Sequence, residues 1–458
     1  MSDKKSIYKP KPISGFPEWL PEERIAEQRW FDHIPKTFES YGFCSIETPS
    51  VEEIDVLLAK GEVDKEIYVL ERLHKDEDED KEARLALHFD QTVPFARYTA
   101  QHFNELVFPF KRYQMQRVWR GERPQMGRMR EFYQCDIDVI NVDNLPLSFD
   151  AEIASMIYET LVGLDIGRVQ LRISNRKILY GYLDSISEFH KYSKEQNNAF
   201  KTECTRSLDK LDKIGRDLVL EHIDTIGKQI YDTNNFSLII EEFINHFSKK
   251  YNTSQELWDA LIKDPEDRHR NLLESIEELS QVLDSLSHLP EGAVVADLSI
   301  VRGLDYYTGT VYETQLLDVP EFTGSVCSGG RYDDLAGSFI NKHLPGVGIS
   351  IGFSRLFDVI RQTHPEKLNI GKKSPTDILV YSENPEEAAL VTKTAQTLRK
   401  QGLNVEVYHT VKKWDKHYKY AKNKMIPVIC YPQDDNTAKF KNVENGDEAI
   451  QPLSEWKK

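Results

Sequence analysis

The spacing of apolar positions changes several times along this chain, and each change predicts a different element. Pro21-Glu22-Glu23 opens a helical pattern that continues through Phe38, with Pro35 expected to kink or split it and Gly42 to end it. Phe43–Val51 reads as a strand closed by Pro49. The acidic run Lys75–Lys81 has no apolar periodicity and reads as a solvated loop. Aromatic and β-branched residues then alternate in Arg112–Trp119 and again in Phe132–Ile140, predicting two strands. The stretch between them, Arg120–Arg130, holds Pro124 and Gly127 and is expected to join them as an antiparallel pair.

From about Asn175 to Leu289 the pattern becomes helical (Leu208, Leu211, Ile214, Leu218; later Leu272, Ile276, Leu279, Leu283) and glycine is scarce, which predicts an all-α insertion. Strand character returns at Val294, persists through the Gly-rich 324–352 region, and gives way to a helix over Ser354–Thr363. Residues 364–376, with Pro365, Gly371 and Pro375, read as a linker. Beyond it the spacing predicts strand Asp377–Tyr381, helix Pro385–Gln401, strand Asn404–His409, helix Lys413–Lys424 and strand Ile426–Tyr431. That βαβαβ order predicts a small separate α/β domain.

With 458 residues, 40% of them apolar, the chain is long enough for about two to four domains, each with its own core. No stretch approaches the ~20 apolar residues of a membrane span. The opening MSDKKSIYKPKP has neither a secretory apolar core nor the Arg-rich pattern of a transit peptide. Five scattered cysteines without a CxxC pair give no disulfide framework or zinc ribbon, so no metal site is expected and a reduced, cytoplasmic setting is. The net charge of −16 argues against indiscriminate coating of nucleic acid. Two segments run against that average. Lys111–Arg130 holds seven basic residues and one acid, and Lys412–Lys424 holds six lysines and one acid. An acidic body with two basic patches suits a protein that grips a polyanion at two places.

The sharpest chemical signal is the stretch from Arg120 to Gln134, whose turn carries Arg120, Glu122, Arg123, Arg128 and Arg130. It is either a salt-bridged hairpin or an anion site, since guanidinium forks match phosphate oxygens in pairs. Gly346, Gly348 and Gly352 have even spacing, placing them on one strand face. Such a face either admits a flat purine to the backbone or packs tightly under a helix. Arg302 in its apolar surroundings is either paired with Asp305 or functional.

These stretches resemble, in order, the signatures of class II aminoacyl-tRNA synthetases in the form found in histidyl-tRNA synthetases. Leu87–Arg97 resembles the amino-acid-binding stretch, Arg120–Gln134 motif 2, Val301–Gly309 the histidine-specific peptide, and Gly346–Arg355 motif 3. The resemblance covers about residues 16–455. It implies an α+β fold in which an antiparallel sheet flanked by helices carries catalysis. The expected divisions are 1–172 and 293–363 for the catalytic domain, 173–292 for a helical insertion, 364–376 for a linker and 377–458 for a mixed α/β anticodon-binding domain. It implies ATP, as a magnesium complex, histidine and histidine tRNA as substrates, and a homodimer formed through Arg24–Val51, with no membrane.

The roles it implies can be assigned residue by residue. Arg302 and Arg120 would hold the α-phosphate from opposite sides. Asp90, Thr92 and Gln134 would take the α-amino group of histidine, and Asp138 and Tyr307 its ring nitrogens, with Tyr306 alongside. A site with partners for both ring nitrogens penalises any substrate that leaves them unpaired. Glu122 and Phe132 would read and stack adenine, with Arg355 on its other side. Arg123, Gln125 and Arg128 would meet the acceptor end of the tRNA. Lys412, Lys416 and Lys419, on one helical face among Trp414, Tyr418 and Tyr420, would meet the anticodon; otherwise that face is a solvated lysine stripe. Two departures stand out. Ser354 replaces the glutamate that usually precedes the motif 3 arginine, and Asp90 and Asp138 stand where some members carry glutamate. Regulatory paralogues of the family typically lose the histidine-specific peptide or the C-terminal domain, and both are present in this chain.

Overall fold

The computed structural model of the chain describes residues 8–58, 66–73, 84–231, 236–262, 269–301, 307–333 and 335–456. Arg302, Asp305, Tyr306 and the acidic run Lys75–Lys81 lie outside the described residues. The chain forms two compact units. One comprises residues 1–17 and 33–364, the other 18–32 and 365–458.

The larger unit is built on a nine-stranded sheet. In spatial order its strands are Cys44–Ser45, Phe110–Trp119, Glu131–Ile140, Gly346–Ile351, Cys327–Tyr332, Thr310–Leu316, Val169–Asn175, Val294–Asp297 and Lys250–Tyr251. The two expected strands do form a long antiparallel hairpin, with Arg112 opposite Asp138, Gln114 opposite Asp136 and Gln116 opposite Gln134. The register continues sideways, Asp136 to Ser350 and Asp138 to Gly348, then Ser350 to Ser328 and Gly348 to Gly330. Residues in register share a face, so one face of the sheet centre is polar. The alternate positions Cys135, Ile137, Val139, Val347, Ile349 and Ile351 are buried on the opposite, apolar face.

Three expectations are corrected. The helix Pro21–Ser40 is continuous through Pro35; proline removes one backbone donor, and the remaining bonds carry the helix past it. Its end is as predicted: Gly42 adopts φ +79°, its N–H bonds Glu39 O (2.9 Å) and the Phe43 N–H bonds Phe38 O (3.2 Å), a Schellman closure. The single strand over Phe43–Val51 is two pieces in different sheets: Cys44–Ser45 pairs with the long hairpin, and Val51–Glu53 pairs with Leu85–Leu87. The region after Asn175 is mainly helical (Arg176–Ser185, Lys194–Leu208, Arg216–Ile230, Phe236–Phe247, Ser254–Leu261, Arg270–Ser285) but not all-α. Lys250–Tyr251 adds an edge strand to the main sheet.

The smaller unit holds the expected βαβαβ elements, with strands Ile378–Val380, Val405–Val407 and Val428–Pro432 and helices Ala388–Lys400 and Trp414–Lys424. Two further antiparallel strands, Thr437–Asn442 and Glu448–Pro452, complete a five-stranded mixed sheet. Ile378, Val380, Leu398, Cys430 and Phe440 form the core on one side, and Leu379, Tyr381, Ala421, Ile426 and Ile429 on the other. The stretch read as a linker is partly ordered, with a 3-10 turn over Pro365–Leu368. Residues 18–32 share this unit, where Arg29 donates to the Leu368 carbonyl.

Candidate active site

The turn of the long hairpin folds back on the polar side of the sheet. Gln125 and Arg128 exchange backbone hydrogen bonds (3.1 and 2.8 Å), and the Arg130 Nε donates to Glu122 O (3.1 Å). This brings Arg120, Glu122, Arg128, Phe132 and Gln134 to one cleft with Ser325, Ser328, Ser350, Gly352 and Arg355. Motif 2 and motif 3 residues, distant in sequence, therefore meet. Arg120 lies between two rings, 4.3 Å from the centroid of Phe89 and 5.2 Å from that of Phe132. Arg355 donates to Gly127 O (2.8 Å) and Ser325 O (3.0 Å). Burial lowers its pKa, and Arg120 and Arg128 push it the same way. Excess positive charge in a largely desolvated cleft favours an anion. Glu122 faces Arg128 at 3.4 Å.

Beneath this cleft the polar face carries a buried ionic cluster. Arg112, fully buried, meets Asp138 Oδ2 at 2.6 Å and lies 4.2 Å from the Phe95 ring centroid. The Tyr332 hydroxyl donates to Asp138 Oδ1 (3.0 Å). Asp90 precedes the helix Thr92–Gln101 and accepts from the Val93 N–H (3.2 Å). Gln91 beside it donates to Gln116 O (2.9 Å) and Gln134 O (3.1 Å), stitching this turn to the hairpin. Burial raises the pKa of Asp138 to about 6 and that of Asp136 to about 7, with Arg112 opposing both shifts. Burial raises Asp90 as well, against the Val93 N–H and Arg120. Asp136 and Asp138 around the fully buried Arg112, with the charge of Asp90 offset mainly by Arg120, leave a site short of positive charge, suited to a cationic or hydrogen-donating ligand.

The glycines play a different part from the one their spacing suggested. A Cβ on Gly348 would lie 2.0 Å from Asp138 Oδ1, and one on Gly346 2.3 Å from the Tyr332 ring. These two make room for the side chains of the ionic cluster rather than for a purine. Gly352 lies past the strand end and does line the cleft. Ser354 is buried, and its hydroxyl accepts from the Tyr133 N–H (2.9 Å). It thus braces the hairpin as a neutral group. One turn later Asp358 supplies a carboxylate to Arg361 and Gln362 (2.9 and 2.8 Å).

The remaining candidates are placed as follows. Arg123 and Gln125 are exposed on the hairpin turn, and Tyr307 is half-buried against Gly330, where a Cβ would lie 2.7 Å from its ring. Thr92 opens its helix. In the smaller unit Lys416 and Lys419 are exposed on the helix Trp414–Lys424, but Lys412 precedes it and shares no helical face with them. Two of the interleaved aromatics are not free platforms. Tyr418 and Tyr420 pack on the Ile426–Ile429 core, the Tyr418 hydroxyl donates to Val443 O (2.9 Å), and that of Tyr420 donates to Glu406; Trp414 is only partly buried. An aromatic cleft of mixed charge lies instead between Tyr381, Glu383, Trp414, Tyr431, Lys439, Lys441 and Glu448, with Glu448 pairing both Lys439 (2.7 Å) and Lys441 (3.4 Å). Lys441 Nζ there stands 5.0 Å from the Trp414 ring centroid. Sequence reasoning missed this cleft because two of its walls are the unpredicted strands. Arg112, Gln91, Asp136 and Tyr332 were missed as well, although polar residues at every second position of an otherwise apolar strand were a usable signal.

Comparison with known proteins matches this arrangement to a family. The sequence profile of histidyl-tRNA synthetase matches residues 15–356. The chain belongs to the histidyl-tRNA synthetase family. It is 48% identical to the histidine–tRNA ligase of Thermobifida fusca, over 98% of each chain. It is 40% identical to that of Micrococcus luteus, over 97% of this chain and 95% of the relative. Among solved structures, the histidyl-tRNA synthetase of Nostoc sp. PCC 7120 superposes with a TM-score of 0.84 at 34% identity, over 98% of both chains. The synthetase fold accounts for the expected class II sheet with its C-terminal α/β unit. No helix among the described residues is long and apolar enough to cross a membrane.

Proposed function

We infer that this chain joins histidine to histidine tRNA at the expense of ATP, with the cleft between motifs 2 and 3 as its adenylation site. The observation that carries the reading is the convergence of Arg120, Glu122, Phe132 and Arg355 on one cleft above the buried Arg112–Asp138 pair. Adenine would enter beside Phe132 and Glu122, sharing the Phe132 ring with Arg120 or displacing that guanidinium. Arg355, already aligned by two carbonyls, would cover the base from the other side. Magnesium would arrive with ATP, held by phosphate oxygens. Among the described residues, no group of three or more His, Cys, Asp or Glu side chains is placed to hold a metal.

In the first step the histidine carboxylate oxygen bonds to the α-phosphorus as the bond to pyrophosphate breaks. The carboxylate is ionised at neutral pH, so no general base is required. Arg120, and Arg302 by resemblance, would stabilise the charge that develops on the α-phosphate. In the second step a terminal tRNA hydroxyl takes the histidyl group and AMP leaves. The ring of histidine would lie against Asp138 and Tyr307, with its ammonium group at Asp90, Thr92 and Gln134. Arg123, Gln125 and Arg128 would meet the acceptor end, and the cleft of Tyr381, Trp414, Tyr431, Lys439 and Lys441 would stack unpaired anticodon bases. Lys412, Lys416 and Lys419 would serve the backbone nearby. The enzyme would work in the cytoplasm as a homodimer joined through Arg24–Val51, which light scattering at working concentration tests.

Histidine-dependent ATP–pyrophosphate exchange tests the central claim. Exchange should be present with histidine alone among the amino acids, and Arg120→Ala and Arg302→Ala should each lower it by two or more orders of magnitude, given the size of such electrostatic contributions. Folded protein without exchange would refute the reading.

A further inference from the structure

Asp136 has no role in the reading so far, yet it lies at the centre of the polar face. It stands between Gln114 on one neighbouring strand and Ser350 on the other, and is 3% exposed. Its Oδ1 is buried without a hydrogen-bond partner among the described residues, and so is Oε1 of Gln134. The two side chains are linked: Gln134 Nε2 donates to Ser350 Oγ (2.7 Å), and the Ser350 hydroxyl lies against the Asp136 carboxylate.

The direction of this chain follows from chemistry. Above pH 7 the Asp136 carboxylate is ionised and accepts only, so Ser350 must give it a hydrogen. Its lone pairs then face Gln134, which must turn its NH2 group toward the serine. The amide oxygen of Gln134 is left pointing away from Ser350, on a residue that lines the cleft. That carbonyl is buried beside a negative charge, with no partner of its own among the described residues, so it accepts an ammonium group that reaches it and offers nothing to a carboxylate. The charge count agrees, since Asp136 and Asp138 share the fully buried Arg112 while the charge of Asp90 is offset mainly by Arg120, leaving three acids against two guanidinium groups.

We propose that Asp136 is a positioning residue for the amino-acid substrate: acting through Ser350, it orients Gln134 and supplies the charge that selects a ligand bearing an ammonium group. The proposal rests on the placement of the α-amino group at Gln134 given above.

The test compares three ligands in ATP–pyrophosphate exchange. These are histidine as substrate, and histidinol (ammonium present, carboxylate absent) and imidazolepropionate (ammonium absent) as competitive inhibitors. Asp136→Asn keeps shape and acceptor while removing the charge. It should raise KM for histidine and Ki for histidinol about tenfold, the order expected for loss of a charge-assisted contact, and leave Ki for imidazolepropionate within twofold. Ser350→Ala, on the cleft side, should give the same split. Equal weakening of all three ligands, or of none, would overturn the proposal, because a packing defect does not distinguish an ammonium group. Gln134→Ala separates the two levels. If it splits the ligands and Asp136→Asn does not, the role of Asp136 alone is wrong; if it fails to split them, the placement of the amino group is wrong as well.

Discussion

Asp136 and Asp138 carry a stability cost that their location makes measurable. In the unfolded chain both acids titrate near 3.8, whereas burial moves them to about 7 and about 6 in the fold. An acid whose folded pKa is raised adds stability that is complete below its unfolded value and is lost as pH rises through the folded one. The groups facing Asp136 are Arg112 and Gln114 from one strand, Asp138 on its own strand, Ser350 from the next, and Asp90 from the preceding turn. Asp136→Asn should therefore match the parent in thermal stability near pH 4. It should exceed it near pH 8 by up to a few kcal/mol, at roughly 1.4 kcal/mol per pKa unit. A pH-independent difference in Tm would contradict this. Gly348→Ala should do the reverse. Its methyl group would meet Asp138 and the Ile137 carbonyl, so the ionic cluster must shift and exchange activity should fall at least tenfold, with about 1–3 kcal/mol of stability lost to overpacking. At this scale the motif residues were legible because each stretch has its own local wording. Arg112, Asp136 and Tyr332 were not, because their partners lie on other strands and register is not written in any one segment.

At the scale of elements, the hairpin, the helix after motif 3 and the stop at Gly42 were all readable. They depend on local alternation, turn residues and positive φ. The failures were where tertiary context overrode a local signal. Pro35 did not break its helix, and Phe43–Val51 divided between two sheets. The Thr437–Asn442 and Glu448–Pro452 strands passed unnoticed because they are short and carry few apolar residues, only Ala438 and Phe440 in the first and Ala449 and Ile450 in the second. The replacement at Ser354 is an element-scale device, a hydroxyl on a helix holding a backbone N–H of the hairpin. Ser354→Ala should cost about 1–3 kcal/mol, because it leaves the Tyr133 N–H without its partner. Chemical denaturation measures that loss, and an unchanged midpoint would remove the bracing role.

At the scale of the whole molecule, charge is distributed unevenly. The chain carries −16, but Arg120, Arg128 and Arg355 border the cleft of the larger unit, while in the smaller one Lys439 and Lys441 border the aromatic cleft beside Glu448, which pairs with both. If phosphates of tRNA bind at these places, the KM for tRNA should rise steeply between 50 and 200 mM salt, while histidine-dependent exchange changes little. Replacing Lys439 and Lys441 by glutamine should flatten that salt dependence without altering exchange. Trp414→Ala should raise the tRNA KM at every salt concentration, about tenfold for one lost stacking contact. Steady-state aminoacylation across a salt series checks all three.

What the sequence determined by itself was the order of motifs, the alternation of strand-rich and helical regions, and hence the family and the chemistry it performs. Those are properties of short windows, fixed by local periodicity and by which residue types adjoin. Only the tertiary structure decided that Asp136 and Asp138 share the fully buried Arg112, that Gly346 and Gly348 make room for side chains, and that the aromatic cleft lies mainly on strands, with only Trp414 from the lysine-bearing helix. Each of these turns on which face meets which across a sheet. A shift of one residue in strand pairing would reverse it, and no single segment of the chain records that choice.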